Sequence, residues 1–198
     1  MIKHNILTTG AVAMLLLAAM AISPLLASDV EYSYLEGRFI IDAEIDDGPD
    51  DGDGFHIGGS ALVTNNVFIY GSFETVEFDD IDADLDLIEF GAGYIHPVNT
   101  QWDANFELGL VNADASAFGQ SDDDTGFSLA AGVRGMVTPQ IETRGKLVYV
   151  DNDLLDDSDT FITIAGDYFF QPNFSAGLEI DLAAEYETLS IGLRYYFN

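Results

Sequence analysis

The sequence predicts an all-β chain folded as a single antiparallel up-and-down transmembrane β-barrel of ten strands. Eight is the alternative count if strands one and two, or four and five, are misread. Three observations predict it. Apolar residues alternate with small or polar ones in ten successive segments of the 198-residue chain, and no segment sustains a helical period. The connections between these segments alternate between short, uncharged turns and acidic ones that are mostly longer. Beyond residue 27, every Lys and Arg lies on the polar face of a segment and none in a connection.

Composition removes competing classes. With 35 acidic and 6 basic side chains, a net charge of −29 offers polyanions no basic patch. The absence of cysteine excludes disulfide scaffolds, thiolate metal sites, Cys nucleophiles and an acylated-Cys anchor. Acidity of this degree suits disorder, but 48% hydrophobic residues, 14 Phe and 9 Tyr supply too much apolar surface for that.

The first element is a leader. Lys3 precedes Ala11–Ala27, in which only Ser23 and Pro24 are not aliphatic, and Ser28-Asp29 opens the acidic chain. This is the charged, apolar and small-residue order of a secretory signal peptide over residues 1–27, with cleavage expected after Ala27. An uncleaved membrane helix is the alternative, since 17 residues lie at the lower limit of spanning length. Residues 28–198 form the barrel domain. Cleavage removes Lys3 and no carboxylate, so the net charge moves to −30.

The strands follow in order at roughly 31–44, 55–64, 67–78, 87–96, 101–112, 126–137, 141–150, 160–170, 174–183 and 188–197. Each is about as long as the 9–11 residues of a tilted bilayer-crossing strand, or slightly longer. Strands two and three meet at Asn65-Asn66, four and five at Pro97–Thr100, six and seven at Thr138–Gln140, eight and nine at Gln171–Asn173. Asn tolerates the positive φ of hairpin turns and Pro presets a turn dihedral. The intervening connections carry Asp46, Asp47, Asp50, Asp51 and Asp53; Asp79, Asp80, Asp82, Asp84 and Asp86; Asp114 and Asp122–Asp124; Asp151, Asp153, Asp156, Asp157 and Asp159; and Glu185 and Glu187. One end of the molecule is therefore tight and neutral and the other acidic.

In the last strand Leu189, Ile191, Leu193, Tyr195 and Phe197 share one face and Ser190, Gly192, Arg194 and Tyr196 the other, a face that could not build an oily core. Strands five, seven and nine read the same way. Alternation fits a soluble sandwich with its apolar face inward as well as a membrane barrel with that face outward. The cations favour the barrel, because a soluble β protein scatters Lys over its edges and loops. Aromatics also cluster beside the tight turns, at Phe68, Tyr70, Tyr94, Trp102, Tyr168, Phe169, Phe170, Phe174, Tyr195, Tyr196 and Phe197, as an interfacial girdle would. The inward face then holds Arg38, Arg134, Arg144, Lys146 and Arg194 with Glu36, Asp42, Glu74, Glu89, Asp103, Glu107, Glu142, Asp167, Glu179 and Asp181.

The segment Ser190-Ile191-Gly192-Leu193-Arg194-Tyr195-Tyr196-Phe197 resembles the C-terminal signature of bacterial outer-membrane proteins, although Asn198 follows the aromatic that usually ends it. The whole chain after the leader resembles the small porin-like outer-membrane β-barrels of Gram-negative bacteria. The resemblance implies that Gly192, Tyr195 and Phe197 form a signal read by the barrel assembly machinery. It also implies export through the periplasm to the outer membrane, tight turns on the periplasmic side, and acidic loops outside among lipid and lipopolysaccharide.

Two functions fit the inward charges. A structural or surface-interaction barrel would have its lumen closed by pairs among Arg38, Arg134, Arg144, Lys146, Arg194, Glu36, Glu107, Glu142, Asp167 and Glu179. A small cation-selective channel would leave a wet acidic path. Closure is favoured because Arg134, Arg144, Lys146, Arg194 and the bulky Tyr196 occupy adjoining strands. No enzyme is expected: His56 reads as a solvated interfacial residue, His96 as a turn residue, and no Ser completes a triad. Asp50, Asp51 and Asp53 lack the ligand series of an EF-hand, so a solvated acidic face is expected there, with weak Ca²⁺ or Mg²⁺ binding as the alternative. No other cofactor and no nucleic-acid partner is expected, and the barrel is expected to be a monomer.

Overall fold

A computed structural model describes residues 30–45, 52–78, 83–117, 120–152, 154, 159–183 and 186–197. The expected leader and Asp50 and Asp51 lie outside these residues. Ten strands follow in order: β1 Tyr34–Ile45, β2 Gly52–Thr64, β3 Val67–Phe78, β4 Ala83–Pro97, β5 Trp102–Ala117, β6 Gln120–Thr138, β7 Ile141–Asp151, β8 Asp159–Gln171, β9 Phe174–Leu182 and β10 Tyr186–Tyr196. Each pairs antiparallel with its sequence neighbour, and β1 pairs with β10, so the sheet closes into a barrel without an edge. Closure leaves no strand edge unpaired, the condition for strands to cross hydrocarbon.

Burial is inverted relative to a soluble protein. Arg194 and Glu142 are each 1% exposed, whereas Phe39 is 70% and Leu193 59% exposed. The charged face of the alternation lines the interior and the apolar face forms the outer wall. A wall of this kind in water would leave an apolar surface far larger than soluble monomers carry.

Three readings of the sequence are corrected. Strands β4, β5 and β6 run further toward the acidic end than the alternation predicts. Asp84, Asp86, Asp114 and Asp122–Asp124 stand in strands, and Asp114 pairs directly with Asp123. A backbone ladder needs no apolar face once it has left the hydrocarbon, so the hydropathy pattern underestimates its length. Asp42 is exposed and not luminal: the register of β1 shifts between Ile40, which keeps the inward parity of Arg38, and Asp42, so that Ala43 turns inward in place of Asp42. The girdle is also smaller than expected. Tyr94, Tyr168, Phe170 and Tyr195 are exposed, but Phe68 and Tyr196 are buried, Tyr70 packs against Phe68 and Phe169 against Tyr196 inside the barrel.

Candidate functional site

The interior is built in layers from the tight-turn end. Residues ahead of β1 enter the barrel there, and Val30, Tyr32, Phe68 and Ile95 pack into an apolar floor joined by Tyr70 and Met136. Tyr32 is fixed by a hydrogen bond from Ser60 Oγ to its carbonyl oxygen, 2.7 Å, and by its ring contact with Phe68, 5.1 Å between centroids. The Phe68 ring lies directly over Gly93, where a Cβ would collide with it, so that position has to be glycine for the floor to close.

Above the floor lies a continuous ion network. Arg134 holds Glu142 in a two-pronged contact, Nε to Oε1 at 2.8 Å and Nη2 to Oε2 at 3.1 Å, the geometry in which a guanidinium matches a carboxylate best. Arg194 reaches Glu36 at 2.7 Å, Glu142 at 3.4 Å and Asp167 at 3.8 Å. Arg144 binds Asp167 and Glu179, each at 2.5 Å. Arg38 contacts Glu36 at 3.1 Å, Glu179 at 3.7 Å and Asp167 at 3.8 Å. Four guanidiniums thus face four carboxylates, and the network is formally neutral. Tyrosines cap it: the Arg134 guanidinium lies 4.8 Å from the Tyr32 ring and that of Arg194 4.2 Å from the Tyr34 ring, while both donate to the Tyr196 hydroxyl. Gly192 leaves the space through which the Arg38 stem passes, its missing Cβ falling 2.5 Å from Arg38 Cγ.

A cavity of about 740 Å³ borders the network and the Tyr32–Phe68 floor and extends toward the acidic end. Its polar wall carries separate small clusters. Lys146 Nζ lies 3.2 Å from Glu107, which accepts from Asn105 at 2.6 Å. Glu89 accepts from Tyr70 at 2.9 Å and from Ser128; Asp181 accepts from Thr163 at 2.5 Å and Thr188 at 3.3 Å. His56 Nδ1 stands 3.2 Å from Glu74. Two apolar groups, Ile40, Ala43, Val76 and Phe78 on one side and Val111, Val148 and Val150 on another, are buried inside the barrel, and Phe78, Val111, Val148 and Val150 line the cavity.

A closed antiparallel barrel with a charged interior and an apolar outer wall is the architecture of an outer-membrane protein, and the profile of the outer membrane protein beta-barrel domain matches residues 9–153. The chain belongs to that family. This outer-membrane barrel is similar in fold to the KdgM porin, with 12% identity over 83% of this chain and 99% of that one and a TM-score of 0.50. It is similar also to the NanC porin, with 9% identity over 82% and 100% and a TM-score of 0.50. Ail, the attachment invasion locus protein of Yersinia pestis, aligns with 20% identity over 83% and 97% at a TM-score of 0.43. No curated protein matches the chain.

In this outer-membrane barrel the ten residues expected to pair in the lumen all point inward, but they do not form one group. Arg38, Arg134, Arg144, Arg194, Glu36, Glu142, Asp167 and Glu179 make the network, while Lys146 and Glu107 pair apart from it in the cavity wall. Of the expected assembly signal, Tyr195 faces outward against Phe174, and the Phe197 amide bonds to the Ser33 carbonyl at 3.0 Å. Asp53 is exposed on β2, and no group of His, Asp or Glu among the described residues could hold a metal ion. His56 is not a solvated interfacial residue. Because β2 begins at Gly52, His56 falls well inside the strand on the luminal parity, between Glu36 and Glu74. The sequence reading missed the floor: it starts strand one at residue 31, whereas β1 begins at Tyr34 and Tyr32 turns into the barrel ahead of it.

Proposed function

We propose that this outer-membrane barrel is a non-conducting structural or surface-interaction protein, with no enzymatic activity, whose acidic end faces outside. The observation that carries the reading is the neutral network of four guanidiniums and four carboxylates seated on the Tyr32–Phe68 floor. Ions crossing this layer would have to displace buried contacts that hold one another in place, and no mobile counter-charge is required to keep it neutral. Purified, refolded protein in planar bilayers tests this. The expected result is a silent membrane for the wild type, and conductance steps or loss of folded mobility on gels for Arg144→Ala and Arg194→Ala. Wild-type steps, or variants unchanged in both conductance and gel mobility, contradict it.

A second reading, a small cation-selective channel, draws on the carboxylates of the upper cavity, which outnumber its cations. It requires a wet path past Arg134 and Arg194. Cation-selective steps in the same wild-type bilayer experiment would establish it.

A further inference from the structure

The part of the cavity away from the network is not balanced as the network is. Glu74, Glu89 and Asp181 have no Lys or Arg within salt-bridge distance among the described residues; they are held by His56, by the hydroxyls of Tyr70 and Ser128, and by Thr163 and Thr188. Glu89 stands on β4 and Asp181 on β9, five strands apart in the ten-strand ring, so these carboxylates face one another across the cavity. In walls of low dielectric, like charges without counter-ions set a potential that attracts a cation. The rest of the lining is apolar and aromatic, with Phe78, Leu85, Leu87, Phe161 and Tyr186 toward the acidic end. One hydroxyl adds an independent sign of a ligand. The Tyr186 hydroxyl is buried on the same lining and has no hydrogen-bond partner among the described residues. A buried polar group without a partner costs about 1–3 kcal/mol, and an ammonium or guanidinium N–H donated to its oxygen would remove that cost.

We propose that this cavity is a binding site for an organic cation, an ammonium or guanidinium group carried on an apolar or aromatic stem. Its charged group lies among Glu74, Glu89 and Asp181, and its stem lies along the aromatic wall, where cation–π contacts assist. The volume of about 740 Å³ lies within the range of small-molecule sites. The inference rests on the non-conducting reading, since a chamber blocked at the tight-turn end holds what enters from the other.

Calorimetry on the refolded barrel in a zwitterionic detergent tests it with three probes of one shape: phenethylamine, 2-phenylethanol and 3-phenylpropanoate. The expected result is saturable binding of the amine, with the alcohol and the acid weaker by about tenfold or more, the value of one charge-assisted contact. Glu74→Gln combined with Asp181→Asn should weaken the amine by a similar factor while gel mobility stays that of the folded barrel. Equal binding of amine and alcohol, or an unweakened amine in the folded double variant, overturns the proposal; should the variant not fold, the probe comparison on wild type decides alone. Bilayer currents in the same preparation separate the two readings. Wild-type current blocked by the amine ends the non-conducting reading and leaves the site, whereas a silent bilayer without amine binding does the reverse.

Discussion

Glu142 is buried between Arg134 and Arg194, and its Oε1 contacts both guanidiniums. Replacing a buried pair by apolar groups is often neutral, but removing one partner strands the other charge. Arg194→Ala should therefore destabilise the barrel by about 3–5 kcal/mol, because it leaves Glu36 and Glu142 each short of a cation. Lys146→Ala should cost less than half of that, since the Lys146 and Glu107 pair borders the cavity, where water can take over. Urea titrations of the folded fraction, followed by gel mobility in lipid vesicles, check the ranking; equal losses would contradict it. Much at this scale was legible from residue type and parity. Arg194 and Glu179 fall on polar faces that the alternation marks directly. Which Arg meets which Glu was not legible, because partners such as Glu36 and Arg194 are 158 residues apart in the chain and become neighbours only through closure of β1 on β10.

At the scale of the element, a strand's two faces answer to different solvents. Ile191, near the middle of β10, is exposed on the outer wall, while Ser190 and Arg194 on the same strand are buried. Ile191→Arg should therefore cost about 2–4 kcal/mol, and Glu187→Arg, close to the acidic end of β10, about 0–1 kcal/mol. Urea midpoints in phospholipid vesicles give both numbers, and a penalty that did not depend on depth would argue against a bilayer around this wall. Strands β7, β9 and β10 keep one parity from end to end, and there the sequence was enough. It fails in β1 because Ile40-Ile41-Asp42 carries no mark of the extra residue that shifts the register. It fails again at Phe68, Tyr70 and Phe169, since an aromatic near a membrane interface suits either face, and only packing against Tyr32, Glu89 or Tyr196 decides which.

For the whole molecule, the layers follow from one inversion. The outer wall stays in hydrocarbon, so the polar residues have only one another and the lumen to turn to; nearer the tight-turn end four arginines pair with four carboxylates, and nearer the acidic end the carboxylates outnumber the cations. Ten strands give the interior room for both, where eight would be about filled by side chains. The absence of cysteine makes the inversion directly measurable, because an introduced thiol is unique. Ile69 and Ser72 lie three residues apart on β3, the first exposed on the outer wall and the second in the cavity lining. Spin labels on Ile69→Cys and Ser72→Cys, with the barrel in phospholipid bilayers, can be relaxed by oxygen, which concentrates in hydrocarbon, or by a water-soluble nickel chelate. Strong relaxation by oxygen and little by nickel is expected at position 69, with weak relaxation by oxygen at position 72. Oxygen contact that is equal at the two sites, or stronger at 72, would contradict the inversion.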